Sequence, residues 1–184
     1  VYPTDTAYGL GGNALDEGVV RKIYELKKRS PAKPTHTVVR DWHMTEKLCK
    51  TNDHAKTLYD KFLPGALTII LLKRGLVPDT LTGSMPTLGI RIPDNPFTKA
   101  LSRMVDFPYT TPSANESGGK TPYSVHEVKR QIDVSKVDLI VDLGKIKKGA
   151  PSTVIDISSP VVKILREGPI SKQQLERVLN VKIL

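Results

Sequence analysis

Arg91 stands inside LGIRIP, a run that is otherwise apolar. A guanidinium among Leu, Ile and Pro side chains is rarely left unmatched, because a buried charge without a partner is costly. It calls for a carboxylate or a phosphate, supplied either by the chain's own acids or by a ligand. Arg166 in ILREG has the same character at the end of an apolar strand. LKKRSPAK sets Lys27, Arg29 and Lys33 at and beyond a helix C-terminus. The helix dipole repels anions there, so a phosphate site would rest on side-chain charge; the same residues could instead simply complement the dipole. TTPSAN offers Thr111, Ser113 and Asn115 at alternate positions. Extended chain puts all three on one face, and a plain turn is the other reading. The opening VYPTDTAYGLGG carries two threonines flanking Asp5 and then three glycines, Gly9, Gly11 and Gly12. It reads as a strand that ends by aiming hydroxyls and bare amides at one place, as ligand-binding strands do.

Several other chemistries lack their signatures. There is no G-x-x-x-x-G-K-[ST], and GLGG at residues 9–12 is not the dinucleotide pattern. No G-x-S-x-G occurs. The four His and the single Cys49 are spaced unlike any zinc site, and no metal ligand set is expected. A lone cysteine also gives no disulfide framework, which makes a reducing compartment the expectation. The 28 Lys and Arg against 19 Asp and Glu give a net charge of +9, which points to an anionic partner or to a solvated basic surface. No stretch approaches the roughly 18 apolar residues of a membrane span.

The elements that must position these residues follow from pattern. At 184 residues, one domain over 1–184 is expected. Asp16 to Lys28 has helical spacing, with Pro31 ending it. Thr35 to Arg40 reads as a strand, and Thr45 to Cys49 and His54 to Phe62 as helical pieces. ALTIILLK is a continuous apolar run, hence a strand covered on both faces. Leu88 to Pro93 is another, with Ile90 and Ile92 on one side and Arg91 on the other. Asn95-Pro96 opens a helix to Val105. PYTTPSAN is a strand running into a loop, and Ser124-x-x-Glu127 is a capping box for a helix to about Ile132. DLIVDLG, STVIDIS and VVKILREG read as three late strands, and Ser171-x-x-Gln174 caps the last helix. The sum is an α/β domain: an open, twisted, mixed sheet with flanking helices. The chain opens on Val1 in what reads as the end of a strand, so further N-terminal residues are expected in the natural protein, and organellar targeting stays open.

PTDTAYGLGGNA, K-x-R followed by KP, LPGALTIIL, GIRIP, PSAN, PSTVIDI and LREGPI occur in that order along nearly the whole chain. In this the chain resembles the YrdC family, which makes threonylcarbamoyl-AMP, the activated precursor of threonylcarbamoyl adenosine in transfer RNA. The resemblance implies an α/β fold around a basic concave cavity that takes ATP, L-threonine and bicarbonate. By the same resemblance, nucleotide contacts would fall on Arg29, Lys33, Thr87, Ser113, Asn115, Thr121 and Arg166. Threonine contacts would fall on Thr6, Arg91, Thr111 and Ser152. Lys27 and Arg29 would be catalytic, with Lys27 at the reacting phosphates. Some family members carry a histidine where Val38 stands here; His36, two positions away, would share its strand face.

The chemistry implied suits these residues. Threonine's amine captures CO2 or bicarbonate as a carbamate, whose oxygen attacks the α-phosphorus of ATP and expels pyrophosphate. Such a transfer needs alignment and charge neutralisation more than an acid–base pair. Mg2+ would come on the ATP phosphates and water. Thr6 would bind the substrate threonine beside the glycine turn, while Asp5 could stabilise that turn or act in catalysis. The product would pass to the threonylcarbamoyl transferase of the tRNA-modifying complex, in the cytoplasm. Two rival readings are a module that binds transfer RNA or other double-stranded RNA through phosphates, and a HypF-like domain forming carbamoyl-adenylate.

Overall fold

The apolar run of residues 67–72 and the alternating Leu88 and Ile90 place two strands at the centre of the molecule. In the computed structural model, which describes residues 1–184, these are β5 (Leu67–Lys73) and β6 (Thr87–Arg91), paired antiparallel with Ile69 opposite Ile90. Around them lie β3 (Thr37–Val38), β4 (Cys49–Lys50), β7 (Tyr109–Thr110), β8 (Thr153–Asp156) and β9 (Lys163–Arg166). The seven-stranded sheet runs β7-β3-β6-β5-β8-β9, with β4 on the far end of β5. The β3–β6 and β5–β8 pairs are parallel and the rest antiparallel, so the sheet is mixed, as expected. A separate ribbon pairs β1 (Tyr2–Pro3) with β2 (Tyr8–Gly9).

The two faces of the sheet differ in chemistry. Leu67, Ile69 and Leu71 of β5, Leu88 and Ile90 of β6, and Ile155 of β8 enter the main core. Helices α1 (Glu17–Leu26), α3 (Asp53–Phe62) and α7 (Lys172–Leu179) contribute Val20, Leu58 and Leu175 to it. Each such side chain contributes about 1.5–3 kcal/mol by leaving water. The opposite face presents Thr68, Gly89, Arg91 and His36. Ile92 lies in the core with Ile90, so Arg91 points the other way, as the alternation requires. Because Ile70 and Leu72 are only half-buried, β5 is covered on both faces in its first half alone.

Helix starts follow the caps written in the sequence. Asp16, Asn52, Asn95, Ser124 and Ser171 each accept a backbone N–H two or three residues on. So does Asp41, ahead of α2 (Trp42–Leu48), which begins earlier than the spacing implied. Asn95 heads α5 (Pro96–Met104). The Ser171–Gln174 box is complete. Ahead of α6 (Val125–Lys129), the Glu127 carboxylate accepts from Tyr123 N–H, one residue before the cap, and the helix ends short of Ile132. A short turn of helix, α4 (Asp79–Thr82), was not expected.

Two expectations need correction. Pro31 does not end α1; Lys28 does, in the left-handed conformation, with Arg29 N–H bonded to Tyr24 O and Lys28 N–H to Glu25 O. This pair of bonds is a Schellman ending. DLIVDLG is not a strand. Ile140 packs against one apolar cluster and Val141 against another. The alternation that mimics a strand thus reflects two flanking clusters. The segment is tied instead by Val141 N–H to Val1 O and by the Tyr8 hydroxyl donating to Gly144 O at 2.7 Å.

Gly168, just past β9, fits a gap with no room for a side chain. A Cβ there would lie 2.4 Å from Pro151 O and 2.5 Å from Thr153 N, both backbone. Gly168→Ala is therefore expected to cost about 1–3 kcal/mol as β8 and β9 are forced apart. A thermal melt of the variant checks this, and an unchanged midpoint would mean the strands give way freely.

Candidate active site

The polar face of the sheet, the β1–β2 ribbon and the PSAN stretch enclose a cavity of about 150 Å³. The Thr4 hydroxyl accepts the amides of Thr6 and Ala7 and donates to Ala7 O at 2.7 Å, which fixes the turn that projects Asp5 and Thr6. Next to it, Leu10 N–H bonds Pro112 O and Ala114 N–H bonds Tyr8 O. That pairing turns Thr111 and Ser113 toward the same cavity. Gly9 packs closely here: a Cβ at this position would come within 3.1 Å of the Thr111 hydroxyl.

Arg91 is matched by groups of the chain itself, Asp5 first among them. Its Nη2 pairs with Asp5 Oδ1 at 2.7 Å, Nη1 donates to Thr6 Oγ1 at 3.2 Å, and Nε to Gly65 O at 3.3 Å. The remaining Asp5 oxygen accepts Asp94 N–H at 3.1 Å. Asp5 is thus the anchor of Arg91, a role that its own turn did not reveal. Across the cavity, Arg166 Nε donates to Ser152 O at 2.9 Å and Nη2 to Ser152 Oγ at 3.0 Å, while Ser152 Oγ also meets Thr68 Oγ1 at 2.8 Å.

Of the residues singled out from sequence, Thr6, Arg91, Thr111, Ser113, Thr121, Ser152 and Arg166 line this cavity. Asn115, the last residue of PSAN, is buried, and Lys27 lies buried against the same stretch. Lys27 does not present its ammonium to the cavity: Nζ donates to Ser113 O and, at 2.6 Å, to Asn115 O. Asn115 Nδ2 is held by Glu116 O and Gly119 O, and its buried Oδ1 has no partner. Arg29 bonds the carbonyls of Lys33 and Pro34, Lys33 is exposed, and Thr87 is half-buried at the start of β6; none of the three lines the cavity. Thr121 is shared with a larger polar groove bearing Lys120, Arg130 and Lys148.

Sequence reasoning gave no role to Ala7, Tyr8, Gly149 and Pro151, which also line it. The last two belong to the stretch that leads into Ser152, so their place could have been read from that neighbour. No carboxylate lines the cavity, and no group of three or more His, Cys, Asp or Glu is placed to cage a metal. Burial and then the charges of Arg91, Arg166 and Arg29 push His36 down to about 3, so its imidazole is neutral. Val38 instead packs with Tyr2 and Tyr109.

Burial, with the Arg29 charge next to it, pushes the Lys27 ammonium down to about 8 from 10.5. Between those values the unfolded chain binds more protons at this site than the folded one, so stability rises with pH in that window. Below it the full cost of a buried ammonium remains. Lys27→Met should lose this rise, which denaturation midpoints of both proteins across the window would reveal. Parallel pH curves for the two would mean that Lys27 titrates normally.

The family model Sua5_yciO_yrdC, described as telomere recombination, matches residues 1–168. A Methanocaldococcus jannaschii protein is 45% identical over 174 residues, covering 95% of this chain and 81% of its own. The Pyrococcus abyssi threonylcarbamoyl-AMP synthase is 36% identical over 180 residues, covering 97% of this chain, which spans 53% of that relative's length. The crystal structure of Pyrococcus abyssi Sua5 complexed with L-threonine superposes with a TM-score of 0.92 at 35% identity, over 100% of this chain and 54% of that one. No helix of the chain is long and apolar enough to cross a membrane.

Proposed function

This chain belongs to the Sua5/YciO/YrdC family, and from that premise we propose that it is an L-threonylcarbamoyladenylate synthase. It joins L-threonine, CO2 or bicarbonate and ATP into threonylcarbamoyl-AMP and pyrophosphate, for the modification of transfer RNA. The observation that carries this reading is one cavity holding two arginines and several hydroxyls, with no lining carboxylate. Such a lining suits anions and a transfer driven by positioning and charge neutralisation.

The residues divide by place. Arg91, braced by Asp5, takes the threonine carboxylate, with Thr6, Thr111 and Ser152 around the rest of the amino acid. A cavity of about 150 Å³ accommodates a small amino acid but not a whole nucleotide as well. ATP therefore extends past it, with Ser113, Thr121 and Arg166 at the junction. Arg29, Lys33 and Thr87 supply further contacts outside. Asn115 Oδ1 is buried without a partner, so a nucleotide N–H would reach it only if the loop shifted. The threonine amine adds to CO2 and sheds a proton, giving a carbamate. Its oxygen then bonds to the α-phosphorus as the bond to pyrophosphate breaks. Mg2+ would be carried by the phosphates and water, which its reluctance to dehydrate favours, and it would add charge neutralisation.

Pyrophosphate release with each substrate omitted in turn tests the reading. Release is expected only with ATP, threonine and bicarbonate together. Release driven by carbamoyl phosphate without threonine would overturn it in favour of carbamoyl-adenylate formation.

A further inference from the structure

His36 lies on the polar face of the sheet, directly over Gly89, whose Cβ would come within 3.1 Å of the His36 Cβ. It shares the cavity with Arg91, Arg166 and Thr6. Unlike Arg91 and Arg166, its side chain makes no hydrogen bond within the protein, although it belongs to no apolar cluster. A base left unpartnered in a polar cavity is open to a ligand.

The surroundings decide which atom of a ligand that would be. Guanidinium groups are donors only, and the hydroxyls both donate and accept. A neutral imidazole keeps one ring nitrogen with a free lone pair, which makes it the strongest acceptor facing the cavity, where no carboxylate competes. Nucleotide phosphates and bicarbonate offer chiefly acceptors, as does the carboxylate of an amino acid, and all of these suit the arginines. The amino group is different: it can only donate while it carries its proton, and it gains nothing from a guanidinium. On the reading that this cavity binds threonine, we propose that the His36 imidazole accepts a hydrogen bond from the substrate's amino group and so orients the nitrogen that forms the carbamate. His36 is thereby a specificity residue for α-amino acids over the corresponding deaminated acids.

The test is calorimetric binding of L-threonine and of 3-hydroxybutyrate, which is threonine without its amino group, to the native chain and to His36→Ala. The native chain should bind threonine about tenfold or more tightly than the analogue, in keeping with a hydrogen bond to a charged group. His36→Ala should lose that preference by weakening threonine alone, with 3-hydroxybutyrate binding unchanged. His36→Asn, which restores an acceptor, should recover part of it. Equal weakening of both ligands, or an undiminished preference in His36→Ala, overturns the inference while leaving the threonine site in place. A native chain that binds no threonine overturns the assignment of the site itself, and this inference with it.

Discussion

Replacing Arg91 with lysine is expected to raise the threonine requirement roughly tenfold to hundredfold and to leave the ATP requirement near its native value. A charge-assisted pair contributes about 1.5–3 kcal/mol, which converts to that range. The geometry makes the substitution severe. The Arg91 fork gives one N–H each to Asp5, Thr6 and Gly65, which leaves one N–H on Nη1 and one on Nη2 for a ligand carboxylate while it stays anchored. Lysine has a single ammonium, which must choose between Asp5 and the ligand. Arg91→Ala would go further. It strands the Asp5 carboxylate, only 16% exposed, without its cation. Losing one partner of a buried pair costs about 3–5 kcal/mol, and here the figure belongs at the low end because Asp5 also keeps the Asp94 amide. Threonine titration and melting of Arg91→Lys separate the two roles. A large fall in stability with unchanged threonine dependence would mean that Arg91 serves Asp5 and the fold alone.

Lys27→Met should lower turnover by at least about a hundredfold, and the route is indirect. The lost ammonium clamps the carbonyls of Ser113 and Asn115, while Lys27 O accepts Ser117 N–H at 2.7 Å. Releasing that clamp lets the loop carrying Ser113 shift, and a displacement of about 1 Å at a positioned group costs on the order of a hundredfold. Because Lys27 acts through the loop, nucleotide affinity and turnover should fall together. The double variant with Ser113→Ala should then lose little more than Lys27→Met alone. Full additivity in turnover would show that Lys27 and Ser113 act in separate places.

The sheet's core strands were legible because Leu88, Ile90 and Ile92 alternate with polar or small residues, and because caps such as Asp16, Asn52 and Asn95 name their helices. The cavity was legible wherever a residue was chemically uncomfortable locally: Arg91 in an apolar strand, or hydroxyls at alternate positions in TTPSAN. What stayed hidden needed distant partners. Asp5 reads as part of a turn, yet its partner Arg91 is 86 residues away. Lys27 reads as one cation in a basic helix end, but it continues the buried stripe of Val20, Ile23 and Tyr24, and its side chain runs inward onto loop carbonyls. DLIVDLG, residues 138–144, mimics a strand because Ile140 and Val141 serve two clusters, and no local pattern reports which neighbours those are.

The most direct test of the account is the product itself. The chain is incubated with ATP, L-threonine and 13C-labelled bicarbonate, and the nucleotides are resolved by mass spectrometry. The expected product is an adenylate with the mass of threonylcarbamoyl-AMP that carries the label, absent when any substrate is omitted and greatly reduced in Arg91→Lys at low threonine. Consumption of ATP to AMP or ADP with no labelled adenylate would contradict it.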